Sequence, residues 1–207
     1  MKKIPLAVTV ISFLTGFYLY PYLPDKIASH WGITGEVNGY MGKFWGIFLM
    51  PVISVVLLVL FIVIPKIDPL SKNIARFRKY FDRFIGFIFL FLFYIYLLTI
   101  FWNLGFRFNM SRMLAPAFSL LFYQIGILIG KAQRNWSIGV RTPWTLSSDD
   151  VWNKTHRLGS KGYKILAIIG LLGLVWPVFF LTAMISGIIV FSLYLVFYSY
   201  FEYQRQG

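Results

Sequence analysis

The amino-acid sequence predicts an all-α integral membrane protein with six transmembrane helices, a structured outer loop and a short interfacial helix in the inner loop. Two features of the composition indicate this class: 58% of the 207 residues are hydrophobic, and only 13% are charged. A soluble domain carries about a quarter charged residues and cannot bury this much apolar surface in one core. Uncharged apolar stretches of about 18 residues or more, which are typical of membrane-spanning helices, recur along the chain.

Five uncharged apolar stretches define the predicted spans. The fifth would be about 55 Å long as a single helix, whereas the hydrocarbon core of a bilayer is about 30 Å thick. We therefore expect it to fold back as a hairpin with a turn near residues 182–187, because a break at Trp176-Pro177 leaves a first arm too short to cross. This gives six spans in one membrane domain, residues 1–207. The stretches are residues 4–23, 44–64, 84–104, 113–130 and 165–201.

The positions of Lys and Arg predict the orientation of these spans. If the N-terminus is inside, all but four of the 20 Lys and Arg residues, Lys2 included, lie in inner segments. Loops rich in these residues stay in the cytoplasm, so both termini of this multi-pass cell-membrane protein are expected there. The net charge of +13 is spread through loops. The lipid bilayer is therefore the expected partner of this charge, and direct nucleic-acid binding is not expected.

The predicted spans carry no chemistry that would support catalysis or ion coupling. They contain no Asp, Glu, Lys, Arg or His, and Gln124 is the only amide well inside one. Transporters generally place ionisable groups inside the bilayer, so ion-coupled transport is disfavoured, and an interhelical hydrogen bond is the favoured role of Gln124. The two histidines, His30 and His156, fall in loops on opposite sides. We expect no enzyme activity, no cofactor and no metal site.

The outer loop, residues 24–43, is expected to be folded. Pro24 followed by Asp25 is typical of the first turn of a short helix, and Gly35 and Asn38-Gly39 are turn signals. One interpretation is a surface patch that contacts something outside the membrane, in which His30 changes charge near neutral pH. The other is a cap that seals the helix ends, with aromatic side chains at the headgroups. The patch comprises Pro24, His30, Trp31, Glu36, Tyr40 and Lys43.

The inner loop, residues 131–164, is longer. Ser147, with Asp150 three residues later, predicts the start of a short helix in the membrane interface, and Gly159 predicts its end. The segment 141–144 before it is expected to be extended, with an Arg141 guanidinium suited to carboxylates or backbone carbonyls. Either the loop is locked against the helix ends or it recognises a partner. The candidate residues are Asn135, Gly139, Arg141, Thr142, Pro143, Trp144, Trp152, His156 and Arg157.

Both loops resemble those of a known family. Residues 135–148, Asn-Trp-Ser-Ile-Gly-Val-Arg-Thr-Pro-Trp-Thr-Leu-Ser-Ser, followed by Val151-Trp152 and residues 155–157, closely resemble the signature loop of SdpI-like proteins. These are membrane immunity proteins that protect cells from the secreted Sdp killing peptide. Residues 23–31, with Gly35, Gly39-Tyr40 and Lys43, look like the small N-terminal domain of unknown function that accompanies this loop.

The resemblance implies six spans and two activities. One is immunity to a toxic membrane-active peptide, which would bind at the outer loop or between the helices. The other is signalling, in which the inner loop holds a transcriptional repressor at the membrane once toxin is bound. The alternatives are a transporter or exporter of a peptide or lipid-like substrate and a structural membrane partner.

Overall fold

A computed structural model describes residues 3–206, and Lys2 of the orientation argument lies outside them. The described chain is a helical bundle with a two-stranded antiparallel sheet at one end. The elements are α1 (Lys3–Leu19), β1 (Lys26–Trp31), β2 (Val37–Gly42), α2 (Lys43–Ile67), α3 (Ser71–Arg76), α4 (Arg78–Asn103), α5 (Met110–Ile129), α6 (Pro143–Ser147), α7 (Asp149–Gly170) and α8 (Pro177–Gln204), with 3-10 turns at Tyr20–Tyr22 and Leu171–Leu174.

Five of the described helices are long and apolar enough to cross a bilayer. They are α1 with its 3-10 turn, α2, α4, α5 and α8. The first four predicted spans are therefore confirmed as helices, and α8 contains most of the fifth apolar stretch. Helix α7 does not reach the same hydropathy, since its first half is polar.

The fifth stretch folds back as predicted, but the predicted position of its turn is wrong. Residues 182–187 lie inside α8, and the chain turns at Trp176, directly before Pro177. Proline is favoured at the first position of a helix, so this break needs no glycine. The arm before it is not short, because α7 begins at Asp149 and runs through Gly159, the predicted stop, to Gly170. The predicted short interfacial helix is thus the polar half of α7.

Close packing explains why α7 continues past Gly159. Gly130 of α5 lies against Ser160, and a Cβ atom there would come within 2.6 Å of the Ser160 hydroxyl. Further along, Gly170 lies against Ser119 of α5, so the two helices run antiparallel. Small residues let helix backbones approach closely, as is common between membrane helices. Gly159, the predicted stop, is likewise a contact point, since a Cβ atom there would lie 3.0 Å from Ile129 Cδ1.

The outer loop is a β-hairpin, which corrects the predicted helical turn at Pro24-Asp25, while the rest of the described chain agrees with the predicted helical class. Strand β1 pairs with β2 in a register that joins Lys26 to Gly42 and Trp31 to Val37. The turn falls between the strands at Gly35, whose φ of +84° favours glycine, and Asn38-Gly39 is part of β2. Ile27 is almost fully buried, where it packs with Leu23, Ile47 and Phe48.

The bundle therefore has two ends with different structures. We call the end with the β-hairpin the hairpin face. At the other end, residues 131–149 and the start of α7 pack onto α3 and the start of α4, and we call this end the signature face. Its core is aromatic and includes Phe77, Phe81, Phe89 and Trp152.

Candidate functional site

The β-hairpin is fixed to the ends of α4 and α5 by side-chain amides. Asn103 forms the two hydrogen bonds with the Ala28 backbone that a neighbouring strand would form. Its Oδ1 accepts from the Ala28 N–H at 2.8 Å, and its Nδ2 donates to the Ala28 carbonyl at 3.0 Å. Asn109 Nδ2 donates to the Thr34 carbonyl at 2.8 Å. The hairpin is therefore held rigidly over the bundle, which agrees with the cap interpretation. Asn103 ends a span and carries no local motif, so no sequence pattern indicates this role.

Of the six predicted hairpin-face residues, four are exposed and two are packed. Trp31 lies edge-on against Trp102, with 5.8 Å between ring centroids, and the Lys43 ammonium lies 4.8 Å from the Tyr20 ring centroid. Both therefore anchor the hairpin. The exposed four are Pro24, His30, Glu36 and Tyr40.

His30 is held by a neighbour on the other strand. Its Nδ1 lies 2.5 Å from Asn38 Oδ1, which fixes the orientation of the imidazole ring. Both side chains are exposed to solvent. The hairpin face thus presents polar and aromatic side chains on a rigid backbone, an arrangement suited to binding and not to proton transfer within a buried site.

On the signature face, Asn135 organises the loop. Its side chain is fully buried, with both amide hydrogens donated to the carbonyls of Gln133 and Ile138, at 2.7 and 3.0 Å. Its Oδ1 accepts from the backbone N–H groups of Ser137 and Ile138. All of its hydrogen-bonding capacity is used within the loop, so this residue locks the loop and leaves no free group for a partner.

Asp68, between α2 and α3, is a buried residue that sequence reasoning did not single out. One carboxylate oxygen accepts from the Leu70 N–H at 2.7 Å, and the other accepts from the Trp136 N–H at 3.0 Å and from the Ser137 hydroxyl. These bonds tie the end of α2 to the signature loop. The only local signal is the carboxylate next to Pro69, which predicts a turn and not a contact with residues almost 70 positions away.

His156 is buried in the middle of the signature face. Its ring stacks on Trp152 with 3.9 Å between centroids, its Nδ1 bonds the Trp152 carbonyl, and its Nε2 accepts from the Val140 N–H at 3.0 Å. Burial lowers the pKa of His156 to about 4. The ring is therefore neutral at physiological pH, with its proton on Nδ1. Gly139, at φ +122°, has room for no side chain because a Cβ there would overlap His156 Nε2.

Thr142 and Pro143 begin α6 instead of continuing an extended segment. Thr142 itself is extended, as predicted, and forms a reciprocal capping box with Thr145. Its hydroxyl also lies 2.9 Å from the Ser199 hydroxyl of α8. Trp144 packs against Tyr200 with 5.1 Å between ring centroids. These contacts attach the signature loop to the last helix.

Ion pairs also connect the start of α7 with the end of α8. Lys154 lies between Asp150, at 2.9 Å, and Glu202, at 3.1 Å, and Arg205 lies 2.7 Å from Glu202. Hydrogen bonds to Lys154 and Gln206 lower the pKa of Asp150. These carboxyl groups hold the ends of α7 and α8 together.

Few of the nine predicted signature-face residues remain accessible. Asn135, Thr142, Trp152 and His156 are buried, and Gly139 and Trp144 are partly buried. Arg141, Pro143 and Arg157 are exposed, and Arg141 donates to the Trp136 carbonyl at 2.6 Å. Exposed Trp136 belongs beside them, although the sequence did not mark it. Within residues 3–206, no group of three His, Asp or Glu side chains could hold a metal ion.

Known proteins match both faces. The model described as the SdpI/YfhL protein family matches residues 131–200, which contain the signature loop, α6, α7 and most of α8. A model described as a domain of unknown function (DUF1648) matches residues 7–55, which contain α1 and the β-hairpin. Over these residues the chain is similar to the SdpI/YfhL family. The resemblance seen in the sequence is thereby confirmed.

One curated protein is similar to most of this chain. Immunity protein SdpI of Bacillus subtilis (strain 168) is 29% identical over 163 residues, which is 78% of this chain and 76% of that protein. No solved structure matches the chain. The segment matched by the SdpI/YfhL model, residues 131–200, includes the buried Trp152 and His156 pair as well as the exposed Arg141 and Arg157.

Proposed function

We propose that this membrane protein is a non-enzymatic immunity protein that protects the cell from a secreted antimicrobial peptide. The observation that carries this proposal is the similarity to Immunity protein SdpI over 78% of the chain, together with the family-model matches in the hairpin half and in the signature half. In this role the protein binds the peptide at the hairpin face and changes the peptide's access to the membrane.

The hairpin face has the features of a peptide site. The sheet consists of β1 and β2 alone among the described residues, so the second edge of β2 has no strand partner. An extended peptide can add to such an edge through main-chain hydrogen bonds, with side chains supplying specificity. Exposed Glu36 and Tyr40 flank this edge, and exposed Tyr22 and Trp45 surround the base of the hairpin. Such a surface suits a cationic, amphipathic peptide at the headgroups.

This role requires the hairpin face to be outside and both termini to be in the cytoplasm, which needs a sixth crossing. Packing supports α7 with its 3-10 turn as that crossing. Ser160 lies beside Gly130 at one end of α5, and Gly173 lies beside Ala115 near the other. The two segments thus pass through a similar depth, and the antiparallel α8 returns to place Gln206 against Asp150. The first half of α7 buries one face, which includes Thr155, His156 and Ser160, and its charged residues remain exposed at the signature face.

Signalling is the second part of the proposed role. If a transcriptional repressor is held at the membrane, it contacts the exposed signature-face residues Trp136, Arg141, Pro143 and Arg157. Peptide binding controls this contact only if the peptide has different affinities for two arrangements of the bundle. Helix α5 joins the two faces, since Asn109 at its start holds the hairpin and its end packs against α7.

Survival of cells exposed to the Sdp killing peptide tests the immunity role. In a host without its own immunity protein, the wild-type chain should protect, and a variant with His30, Glu36 and Tyr40 all replaced by Ala should not. Tyr18 is an exposed aromatic residue outside the hairpin and its base, so Tyr18→Ala is the control and should preserve protection. No protection by the wild-type chain, or full protection by the triple variant, contradicts the proposal.

Repressor recruitment is measured separately, by co-sedimentation of the repressor with membranes. Arg141→Ala should reduce recruitment while protection persists, because this side chain is exposed and makes one backbone contact. If recruitment and protection fall together in proportion to the amount of folded protein, the proposed contact between Arg141 and the repressor is wrong.

A further inference from the structure

A lateral groove lies between α4 and α5 near the signature face, away from both loops. It encloses about 510 Å³, and its lining includes Lys79, Arg83, Gly86, Phe87 and Gln124. A second groove of about 520 Å³ shares Phe87 and Leu90 with the first and continues to Tyr94 and Pro116. Together they follow α4 for 15 residues, or about 22 Å at 1.5 Å per residue. This exceeds the depth of one leaflet, about 15 Å.

The groove is polar at one end and apolar along its length. At the mouth, Lys79 and Arg83 are exposed, and no ion pair joins either of them to a described acidic residue. Asp82 also lines the mouth, but Arg78 Nε lies 2.7 Å from its Oδ1 and neutralises it. The excess charge at the mouth is therefore positive. Phe87, Leu90 and Phe91 form the apolar walls beyond it.

Gln124 supplies a second, independent sign of a ligand. The residue is 92% buried, no hydrogen bond joins its amide to another described residue, and its amide atoms are open to the groove. An amide that faces lipid without a partner is costly, so a group that accepts its N–H donors would stabilise the structure. The amide lines the groove opposite Gly86, less than one helical turn beyond Arg83.

Gly86 makes the space for this ligand. A Cβ atom at this position would meet no protein atom within 4 Å, and the glycine is in regular helical conformation in the middle of α4. Glycine is unfavourable inside a helix, and here no close helix contact explains it. The missing side chain instead leaves the groove open.

We propose that this groove binds one molecule of an acidic phospholipid from the leaflet on the signature side. The phosphate contacts Lys79 and Arg83, an ester carbonyl accepts from Gln124, and an acyl chain lies over Gly86 toward Leu90. The charge at the mouth favours this occupant over a zwitterionic lipid. The proposal does not rest on the immunity role, because none of these residues belongs to the hairpin or to the signature loop.

Native mass spectrometry of the full chain in detergent tests this site, with phosphatidylglycerol and phosphatidylcholine supplied together. Each Lys or Arg near an anionic headgroup is worth about a fivefold preference, so the phosphatidylglycerol adduct should dominate by at least about fivefold. Replacing Lys79 and Arg83 by Ala should remove the preference. The matched control, Lys66 and Lys72 replaced by Ala, removes two other exposed cations from the same face and should keep it.

Two further variants separate the groove from general surface charge. Gly86→Leu places a side chain in the groove from a position where a Cβ meets no protein atom within 4 Å, and it should abolish the adduct, while Gln124→Leu should weaken it severalfold. Thermal unfolding shows whether each variant is folded. If Gly86→Leu is not folded, Leu90→Trp replaces it and fills the groove from an exposed position. Equal binding of the two lipids, or an unchanged adduct in both groove-filling variants, overturns the proposal.

The remaining outcomes identify other occupants and would also overturn it. Displacement of phosphatidylglycerol by millimolar inorganic phosphate would show a headgroup site without an acyl chain. A dimer that disappears in Gly86→Leu would show that a second copy of the chain fills the groove. Displacement by the Sdp killing peptide, with no lipid preference, would show a peptide site.

Discussion

The two faces of the bundle use their polar residues in opposite ways. At the hairpin face, backbone hydrogen bonds and two asparagines hold the structure, and His30, Glu36 and Tyr40 remain exposed. At the signature face, Asn135 and His156 stabilise the loop themselves, since their side chains are buried and fully hydrogen-bonded. A long and distinctive motif therefore does not by itself mark a binding surface. Many residues of the signature-loop motif stabilise the fold of that loop.

The largest effect is expected at Asn135. Asn135→Ala leaves several loop N–H and C=O groups buried without partners, and each costs about 1–3 kcal/mol. We therefore expect the free energy of unfolding to fall by about 3 kcal/mol or more, as measured by denaturation in mixed micelles. A loss below about 0.5 kcal/mol would mean that the loop is not locked by this residue.

The second effect is a dependence of stability on pH through His156. The pKa of His156 in the folded protein is about 4, below its ordinary value of 6.5, so protons favour the unfolded state. Stability is therefore full above about pH 6.5 and falls as the pH drops toward 4, by about 2 kcal/mol at pH 5. Protonation of His156 at Nε2 would place a second N–H opposite the Val140 N–H, so the hydrogen bond between them would be lost.

His156→Gln is the control for this pH dependence, since its amide oxygen can still accept from Val140 but does not titrate. Unfolding of both proteins should be followed at pH 7 and pH 5. An equally steep fall in the variant would show that other groups cause the acid sensitivity.

A smaller loss is expected when the link between α2 and the signature loop is weakened. Asp68→Asn replaces a carboxylate that accepts three hydrogen bonds by an amide with one accepting atom. Hydrogen bonds to charged groups contribute about 1.5–3 kcal/mol each, and part of this is retained by the amide, so we expect a loss of about 1–2 kcal/mol. The same unfolding assay measures it, and an unchanged stability would remove Asp68 from the locking network.

The smallest effect on stability is expected at the hairpin face. His30→Ala, Glu36→Ala and Tyr40→Ala should each change the free energy of unfolding by less than about 0.5 kcal/mol, because these side chains are exposed. Loss of protection in these variants would then reflect recognition. A loss of stability as large as that of Asn135→Ala would abolish the contrast between the two faces.

The sequence predicted the spans better than their connections. Uncharged runs identify α1, α2, α4 and α5, because a helix exposed to lipid must be apolar along its length. The same criterion misplaced the last turn, because α7 begins in polar sequence at Asp149 and only its end belongs to the uncharged run. One face of this polar half is packed in the bundle, and Gly162 lies so close to Phe191 of α8 that no Cβ would fit. Such contacts depend on tertiary packing and leave no periodic signal.

The candidate residues were identified with the same limits. Sequence patterns found both loops and the resemblance, yet could not show which side chains face inward. Asp68 and Asn103 were missed because each contacts a segment about 70 residues away in the sequence. Glu36 and Arg141 were found because charged residues in loops are usually exposed.

The opposite exposure of the two faces can be measured directly, because the chain has no cysteine. Glu36→Cys and Ser147→Cys each introduce one thiol at an exposed position, on the hairpin face and the signature face respectively. On intact cells, a membrane-impermeant maleimide should label Glu36→Cys at once and should label Ser147→Cys only after the membrane is permeabilised. Labelling of both positions from the same side would contradict an external binding face joined by six crossings to a cytoplasmic signature loop.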